Sequence, residues 1–431
     1  MFDCYKSGDR AVIVHINFTK DSNELQDTSE CKALVSSAGL RILRLITGSR
    51  SSPSPKYYVG EGKAQEVAAT VECEGANVVV FNHILSPIQE RNLQRLFQCR
   101  VIDKTGLVLD IFAKRARTYE GKLQVELARL RHISTRLVRG WSHLERQKGG
   151  IGLRGGPGET QLETDHRLLR ERMKAILRRL DKVSRQRDQG RRARRRAEVL
   201  TISLAGYTNA GKSTLFNQIT ESSVYTAHQL FATLDPTLRR IDLKEAGTAI
   251  LVDTVGFIRH LPHDLIAAFK ATLQETREAD ILLHVVDASD EFFRENMNAV
   301  DSVLTEIEAN DVPTLLVMNK IDRIDGKEPC IDRDHEGKPT RVWVSAAKGM
   351  GIKLLLRALT ERLLGDMVVH TLCLPPAVQG KIRSLLYQMR AIQREEYDQQ
   401  GNLTINICMQ QRDWFKIRNS IPVDLLDFLV N

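Results

Sequence analysis

No stretch of the 431-residue chain approaches eighteen consecutive apolar residues, the length a membrane-crossing helix needs. The opening Met1-Phe2-Asp3-Cys4 lacks the basic and apolar regions of a secretory leader, so a cytoplasmic location is expected. Seven cysteines, an odd number with no Cys-x-x-Cys pair, argue against a disulfide framework or a structural zinc site and for reduced thiols. The composition also lacks the bias of a disordered chain. With 42% apolar and 27% charged residues, the length suffices for two to four domains, each with its own core.

Acidic residues are scarce in one region. From Lys114 to Arg196 there are 25 Lys and Arg against 9 Asp and Glu, a net +16 in a chain of net +9, which leaves −7 for the remainder. Such a concentration on an otherwise acidic protein points to a polyanionic partner, RNA or DNA rather than a membrane surface.

What is present is led by Gly206-Tyr207-Thr208-Asn209-Ala210-Gly211-Lys212-Ser213, which follows the apolar run Val199 to Ala205 and precedes Thr214-Leu215-Phe216-Asn217. In a strand-loop-helix context this Gly-x4-Gly-Lys-Ser pattern is a phosphate-binding loop. Its glycines let backbone N–H groups converge on a β-phosphate, Lys212 reaches the β and γ oxygens, and the Ser213 hydroxyl ligates Mg²⁺. About forty residues on, Ala249-Ile250-Leu251-Val252 ends in Asp253-Thr254-Val255-Gly256. Asp253 is placed to hold Mg²⁺ through water and the Gly256 N–H to meet a γ-phosphate.

Thr314 to Met318 then ends in Asn319-Lys320-Ile321-Asp322. A carboxylate at Asp322 accepts from the N1–H and the exocyclic amine of guanine, and adenine offers neither, so GTP is expected over ATP. Val342-Trp343-Val344 leads into Ser345-Ala346-Ala347, whose backbone can meet the guanine carbonyl oxygen. Between the phosphate loop and Asp253 lies the natural switch segment, Phe231-Ala232-Thr233-Leu234-Asp235-Pro236-Thr237. Thr233 or Thr237 can supply a second hydroxyl to Mg²⁺, Thr233 being preferred. Lys212, Thr233 and Gly256 are the candidate catalytic residues. The glutamine that orients the attacking water in many small GTPases is missing, for Phe257 follows Gly256. Slow intrinsic hydrolysis, raised by a group supplied in trans, is therefore expected.

The expected fold is multidomain α/β. Residues 1–117 read as an α/β unit with two similar halves, 118–197 as a helical hairpin with a basic linker, 198–365 as the G domain with a parallel sheet and flanking helices, and 366–431 as a small α+β domain. In the first unit, Gly60-Glu61-Gly62-Lys63 lacks a four-residue spacer and a Ser or Thr after the lysine. It is read as a helix start in preference to a second phosphate loop. In the hairpin, Leu123, Leu127, Leu130, Leu137, Trp141 and Leu144 face Leu162, His166, Leu169, Met173, Ile176, Leu180 and Val183 at heptad-like spacing. His166 and Met173 are read as packing residues. Six of the twelve residues from Gly149 to Thr160 are glycine, which suits a tip whose backbone approaches RNA, flanked by Arg146, Lys148 and Arg154 as phosphate contacts. Arg185 to Arg196 holds seven arginines and reads as a solvated linker or as a hinge touching RNA. In the last unit, helices are expected over Lys381 to Asp398 and in short pieces over Asp413 to Asn419 and Val423 to Val430.

Four stretches together resemble the HflX GTPases of the Obg-HflX group: the tip running into Gly156-Pro157-Gly158-Glu159-Thr160-Gln161-Leu162-Glu163, the phosphate loop, Phe231 to Asp235, and Asp253-Thr254-Val255-Gly256-Phe257-Ile258. The tip has Gly155-Gly156 where the family pattern has one glycine. The resemblance covers essentially the whole chain. It implies a cytoplasmic, ribosome-associated GTPase, monomeric and touching membranes only peripherally through ribosomes. Such a protein binds the large (50S) subunit and its rRNA, places the tip near the peptidyl transferase centre, and splits or rescues stalled 70S ribosomes, notably in heat stress. It further implies Ser213 and Thr233 as Mg²⁺ ligands, with the nucleotide, GTP or GDP, held by Gly206 to Ser213, Phe231 to Asp235, Asp253 to Gly256, Asn319 to Asp322 and Ser345 to Ala347. Asn209 is similar in position to an asparagine that holds K⁺ in cation-dependent relatives. Two other readings are an ATP-driven RNA helicase, with ATP at the Gly60 to Lys63 turn, and a regulatory GTP-binding module that recruits a protein.

Overall fold

The computed structural model describes residues 8–18, 24–140, 161–196, 199–221, 230–243, 247–259, 270–365, 367–389, 391–398, 401–410, 414, 417–418 and 425–430. The first sheet has strands β1 (Arg10–Phe18), β2 (Arg41–Arg50), β3 (Val78–Phe81) and β4 (Arg100–Ile102) in the order β2-β1-β3-β4, every neighbouring pair parallel. β3 is buried along its whole length, as an apolar strand covered on both faces must be. The covering helices are α1 (Glu24–Ser37), α2 (Glu61–Glu74), α3 (Pro87–Phe97) and α4 (Lys104–Arg115). At the start of α3, Ser86 Oγ accepts from Gln89 N at 3.3 Å while Gln89 Oε1 accepts from Ser86 N at 2.9 Å, a reciprocal cap with Pro87 in the first turn. Gly60 is the N-cap of α2 at φ −69°, so that glycine-lysine stretch is a helix start.

Two long helices follow, α5 (Tyr119–Gly140) and α6 (Gln161–Arg196). Glu126 pairs with Arg172 at 2.7 Å and Glu120 with Arg187 at 2.8 Å, and this reversed order makes the pair antiparallel. Leu123, Leu127 and Ile176 form its buried seam, with Leu130, Met173 and Leu180 packed against them. The arginine run expected as a linker is helix instead. Arg is a good helix former, and an Asp181–Arg185 pair one turn apart at 2.8 Å supports the approach to it. Trp141, Leu144, the glycine tip and its flanking Arg146, Lys148 and Arg154 lie outside the described residues.

The second sheet runs β10-β11-β9-β8-β5-β7-β6. Its strands are β5 (Leu200–Gly206), β6 (Thr237–Leu243), β7 (Gly247–Asp253), β8 (Ile281–Asp287), β9 (Thr314–Asn319), β10 (Ile331–Arg333) and β11 (Pro339–Trp343). The interior pairs are parallel and the edge strands β6 and β10 antiparallel. Helix α7 (Lys212–Thr220) and those at Lys270–Arg277, Phe293–Glu306 and Ile352–Gly365 complete this unit. The sequence signatures sit together beyond the carboxyl ends of β5, β7, β9 and β11, where open α/β sheets bind ligands.

A third sheet, order β13-β14-β12-β15, is antiparallel: β12 (Met367–Leu374), β13 (Ile392–Tyr397), β14 (Leu403–Gln410) and β15 (Leu429–Val430). Here two expectations are corrected. The helix covers Pro376–Gln388 only, and Ile392–Tyr397 is a strand paired with β14 across a turn in which Asp398 Oδ1 accepts from Asn402 N at 2.8 Å. Leu429–Val430 pairs with β12 instead of ending a helix. Strand pairing overrides the helical propensity of Gln393 to Glu396.

The apolar core does not respect the order of the chain. One buried cluster runs from Ala11, Ile13, Leu34 and Phe112 in the first unit to Phe231, Leu234, Val255 and Phe257 beside the second sheet. The Phe112 and Phe231 rings meet edge to face, centroids 4.7 Å apart at 82°.

Candidate functional site

The turn after β5 is made by two glycines that no other residue can replace without movement. Gly206 has φ 148° and a Cβ there would lie 2.2 Å from the Val285 carbonyl oxygen; Gly211 has φ 96° and a Cβ would lie 2.2 Å from Asn319 Nδ2. Between them Asn209 takes φ 61°, a left-handed conformation asparagine tolerates. The loop delivers Lys212 to the start of α7, where its ammonium donates to the carbonyls of Gly206 at 2.9 Å and Tyr207 at 2.8 Å. Burial pushes this lysine down to about 8, opposed by the charge of Asp253. It is a cation short of anionic partners, as a phosphate-binding group should be.

Three oxygens converge beside it. Ser213 Oγ donates to Asp253 Oδ2 at 2.7 Å and lies 2.8 Å from Thr233 Oγ1, which donates to the same carboxylate oxygen at 2.9 Å. Burial raises the Asp253 carboxyl, and the Ser213 hydrogen bond opposes that shift. Asp253 Oδ1 is buried with no protein hydrogen-bond partner. Hard oxygen donors, two of them hydroxyls and one an anion with an unused oxygen, fit a hydrated Mg²⁺. Of the two candidate switch threonines, Thr233 is the one in this cluster; Thr237 begins β6 and pairs across the sheet with Asp253.

The segment after Asp253 is stapled to the phosphate loop. Phe257 N donates to Gly206 O at 3.2 Å and Thr208 N to Phe257 O at 2.7 Å, and Thr254 Oγ1 donates to Leu204 O at 2.5 Å. Gly256 passes so close that a Cβ would stand 3.0 Å from Lys212 Nζ and 2.8 Å from Thr208 Cγ2. On the other side, Asn319 donates to Ala210 O at 2.8 Å and accepts from Ala346 N at 2.9 Å, tying the phosphate loop to the Ser345-Ala346-Ala347 turn. Ser345 Oγ donates to Asp322 Oδ1 at 2.6 Å, and that bond holds the Asp322 carboxyl below the usual carboxylate range. Lys320 reaches back to Asp287 at 2.6 Å.

These parts enclose a cavity of about 380 Å³, within the range of small-molecule sites. Of the residues anticipated from sequence, Thr208, Asn209, Gly211, Lys212, Ser213, Phe231, Ala232, Thr233, Thr254, Gly256, Asn319, Lys320, Asp322, Ala346 and Ala347 line it. Leu234, Val255, Ile321 and Ala210 are buried in the surrounding core, and the Asp235 carboxylate is bonded to Thr118 at the base of the hairpin. Thr214 and Arg323 also line the cavity, unanticipated although each adjoins a motif residue.

The first unit reaches this site through a carboxylate that gave no sequence signal. Glu30 on α1 accepts a short hydrogen bond from Tyr207 Oη and another from Lys104 Nζ at 2.9 Å. Tyr207 Oη in turn accepts from Arg259 N at 3.1 Å. Glu30, Lys104 and Arg259 are all buried. Removing the carboxylate leaves two buried cations without their counter-charge, so Glu30→Ala is expected to destabilise the chain by about 3–5 kcal/mol. Chemical denaturation of the two proteins checks this; a loss under about 1 kcal/mol would mean that the network is solvated.

A loop lysine, a hydroxyl pair with an aspartate, and the Asp322 carboxylate held by Ser345 in one crevice of a mostly parallel sheet define the class as P-loop GTPase. Comparisons with known proteins agree. Models described as GTP-binding GTPase N-terminal, GTP-binding GTPase Middle Region and 50S ribosome-binding GTPase match residues 26–113, 115–194 and 201–320. GTPase HflX of Escherichia coli (strain K12) is 62% identical over 430 residues, 100% of each chain, and that of Magnetococcus marinus 45% identical over 379 residues, 87% of each. A GTP-binding protein from Sulfolobus solfataricus, solved with GDP, is 23% identical over 82% of this chain and 98% of that one, with a TM-score of 0.44. The chain belongs to the HflX GTPase family and is a GTP hydrolase. No helix among the described residues is long and apolar enough to cross a membrane.

Proposed function

We propose that the chain is a ribosome-dependent GTPase that binds the large subunit in its GTP form and dissociates or rescues stalled 70S ribosomes, a role suited to heat stress. The observation that carries the nucleotide half is the meeting of Ser213, Thr233 and Asp253 within 2.9 Å of one another beside Lys212. In this reading the amides of Gly206 to Ser213 cradle the β-phosphate, Lys212 spans β and γ oxygens, and the Gly256 N–H meets the γ-phosphate. Ser213 and Thr233 would ligate Mg²⁺ directly and Asp253 through water, and the ion when bound neutralises charge on the phosphates. Asp322 reads the guanine edge, and Ser345 to Ala347 meet its carbonyl oxygen.

The ribosomal half rests on the description of the matching family model and on the +16 segment from Lys114 to Arg196. Arg146, Lys148 and Arg154, outside the described residues, are proposed as its RNA contacts. Phe257, fully buried and apolar, cannot orient water, so the accelerating group comes from the partner. Turnover is therefore expected to rise at least about tenfold when large subunits are added at fixed K⁺, consistent with what one well-placed catalytic group contributes. Equal turnover with and without subunits would defeat the ribosomal reading. A sodium arm of the same assay tests whether Asn209 holds an activating K⁺, for then exchange of K⁺ for Na⁺ lowers the rate.

A further inference from the structure

The switch segment is attached to the base of the basic hairpin. Two residues after Thr233, the half-buried Asp235 turns away from the nucleotide cavity: its Oδ2 accepts from Arg117 N at 2.8 Å and Thr118 N at 2.9 Å, and its Oδ1 from Thr118 Oγ1 at 2.5 Å. Thr118 Oγ1 also accepts from Gly121 N at 3.0 Å, so it caps α5 while it holds the carboxylate. An anion at the start of a 22-residue helix meets unpaired amides and the positive end of the helix dipole. The packing there admits no side chain, for a Cβ on Gly121 would lie 2.1 Å from Asp235 Oδ1.

The rest of the segment is fixed on either side. Leu230 N donates to Ser37 Oγ at 2.8 Å, and Phe231, at φ 56°, is buried against Phe112. Two residues span at most about 7 Å, so a backbone movement at Thr233 is readily passed to Asp235.

We propose that Thr118 and Gly121 are positioning residues for the GTPase reaction: through Asp235 they set Thr233 at the metal site, and through the same bonds the presence of a γ-phosphate is felt at the hairpin base. Coupling of this kind is reciprocal, so whatever holds the hairpin also biases Thr233. The inference rests on the reading of Thr233 as a ligand of the GTP form.

The test uses the full chain with Thr118→Val, Thr118→Ser and Gly121→Ala. Valine keeps the shape of Thr118 and deletes the hydroxyl, serine keeps the hydroxyl, and alanine is a better helix former than glycine but displaces the carboxylate. Fluorescent GDP binding, which needs only the phosphate loop and the base, is expected to stay within about threefold of wild type in all three. Preference for a non-hydrolysable GTP analogue with Mg²⁺ over GDP is expected to fall about tenfold in Thr118→Val and Gly121→Ala and to be retained in Thr118→Ser. Hydrogen exchange at residues 117–125 is expected to slow in the analogue form of wild type and of Thr118→Ser, and to be indifferent to nucleotide in the other two. Retained preference in Gly121→Ala and Thr118→Val, or a hairpin base that responds to neither nucleotide in wild type, would overturn the proposal while leaving the GTP site intact. A wild-type chain that binds no guanine nucleotide would overturn the GTPase reading as well.

Discussion

Replacing Asp322 by asparagine is expected to weaken GTP binding about 10³-fold and to turn the site toward xanthosine triphosphate. The loss follows from two charge-assisted hydrogen bonds, each contributing roughly 1.5–3 kcal/mol, that an amide cannot both replace. Guanine presents two donors on this edge, and the asparagine amide offers one acceptor and one donor pair. Xanthine carries an oxygen where guanine carries the amine, so the amide can pair with it. Ser345 Oγ, 2.6 Å from Asp322 Oδ1, fixes the orientation that makes the exchange productive. Competition of GTP, xanthosine triphosphate and ATP against a fluorescent nucleotide reads the result. Unchanged GTP affinity, or a gain for ATP, would show that the base sits elsewhere.

Lys212→Ala is expected to lower the rate of phosphate release about 10²–10³-fold or more, the usual effect of deleting a preorganised donor to developing charge. Its ammonium is held by the Gly206 and Tyr207 carbonyls at the start of α7. GTP affinity should fall more than GDP affinity, because only GTP offers the γ oxygens. Arginine should not rescue, since Lys212 is buried and a planar guanidinium cannot reproduce its two bonds to the loop carbonyls. Single-turnover release of phosphate separates the two effects. A variant within threefold of wild type would remove Lys212 from the mechanism.

The meeting of the motifs in one cavity was legible because each motif is the loop that ends an apolar run, and a parallel sheet brings such loops together whatever lies between them. The first unit was legible for a similar reason: buried strands such as Val78–Phe81 and the cap at Ser86 carry local signals. Failures occurred where a distant partner decides or where charge outweighed local helix propensity in the reading. Ile392–Tyr397 has a polar composition that suits a helix, and it is a strand because Leu403–Gln410 lies beside it. The arginines before residue 197 suggested a linker on charge alone, yet the helix continues through them. Glu30 with Tyr207, and Asp235 with Thr118, join residues more than a hundred positions apart, and no periodicity records such a meeting.

The edge-to-face pair of Phe112 and Phe231 also has a bearing on how such a molecule can be dismantled or diversified. A fragment cut at Val199 would carry the second ring, and its neighbours Leu234 and Phe257, into water as an adhesive scar. The nucleotide unit is thus poor raw material for fusion or domain exchange, and in a drifting lineage neither ring is free to change bulk until the other has made room.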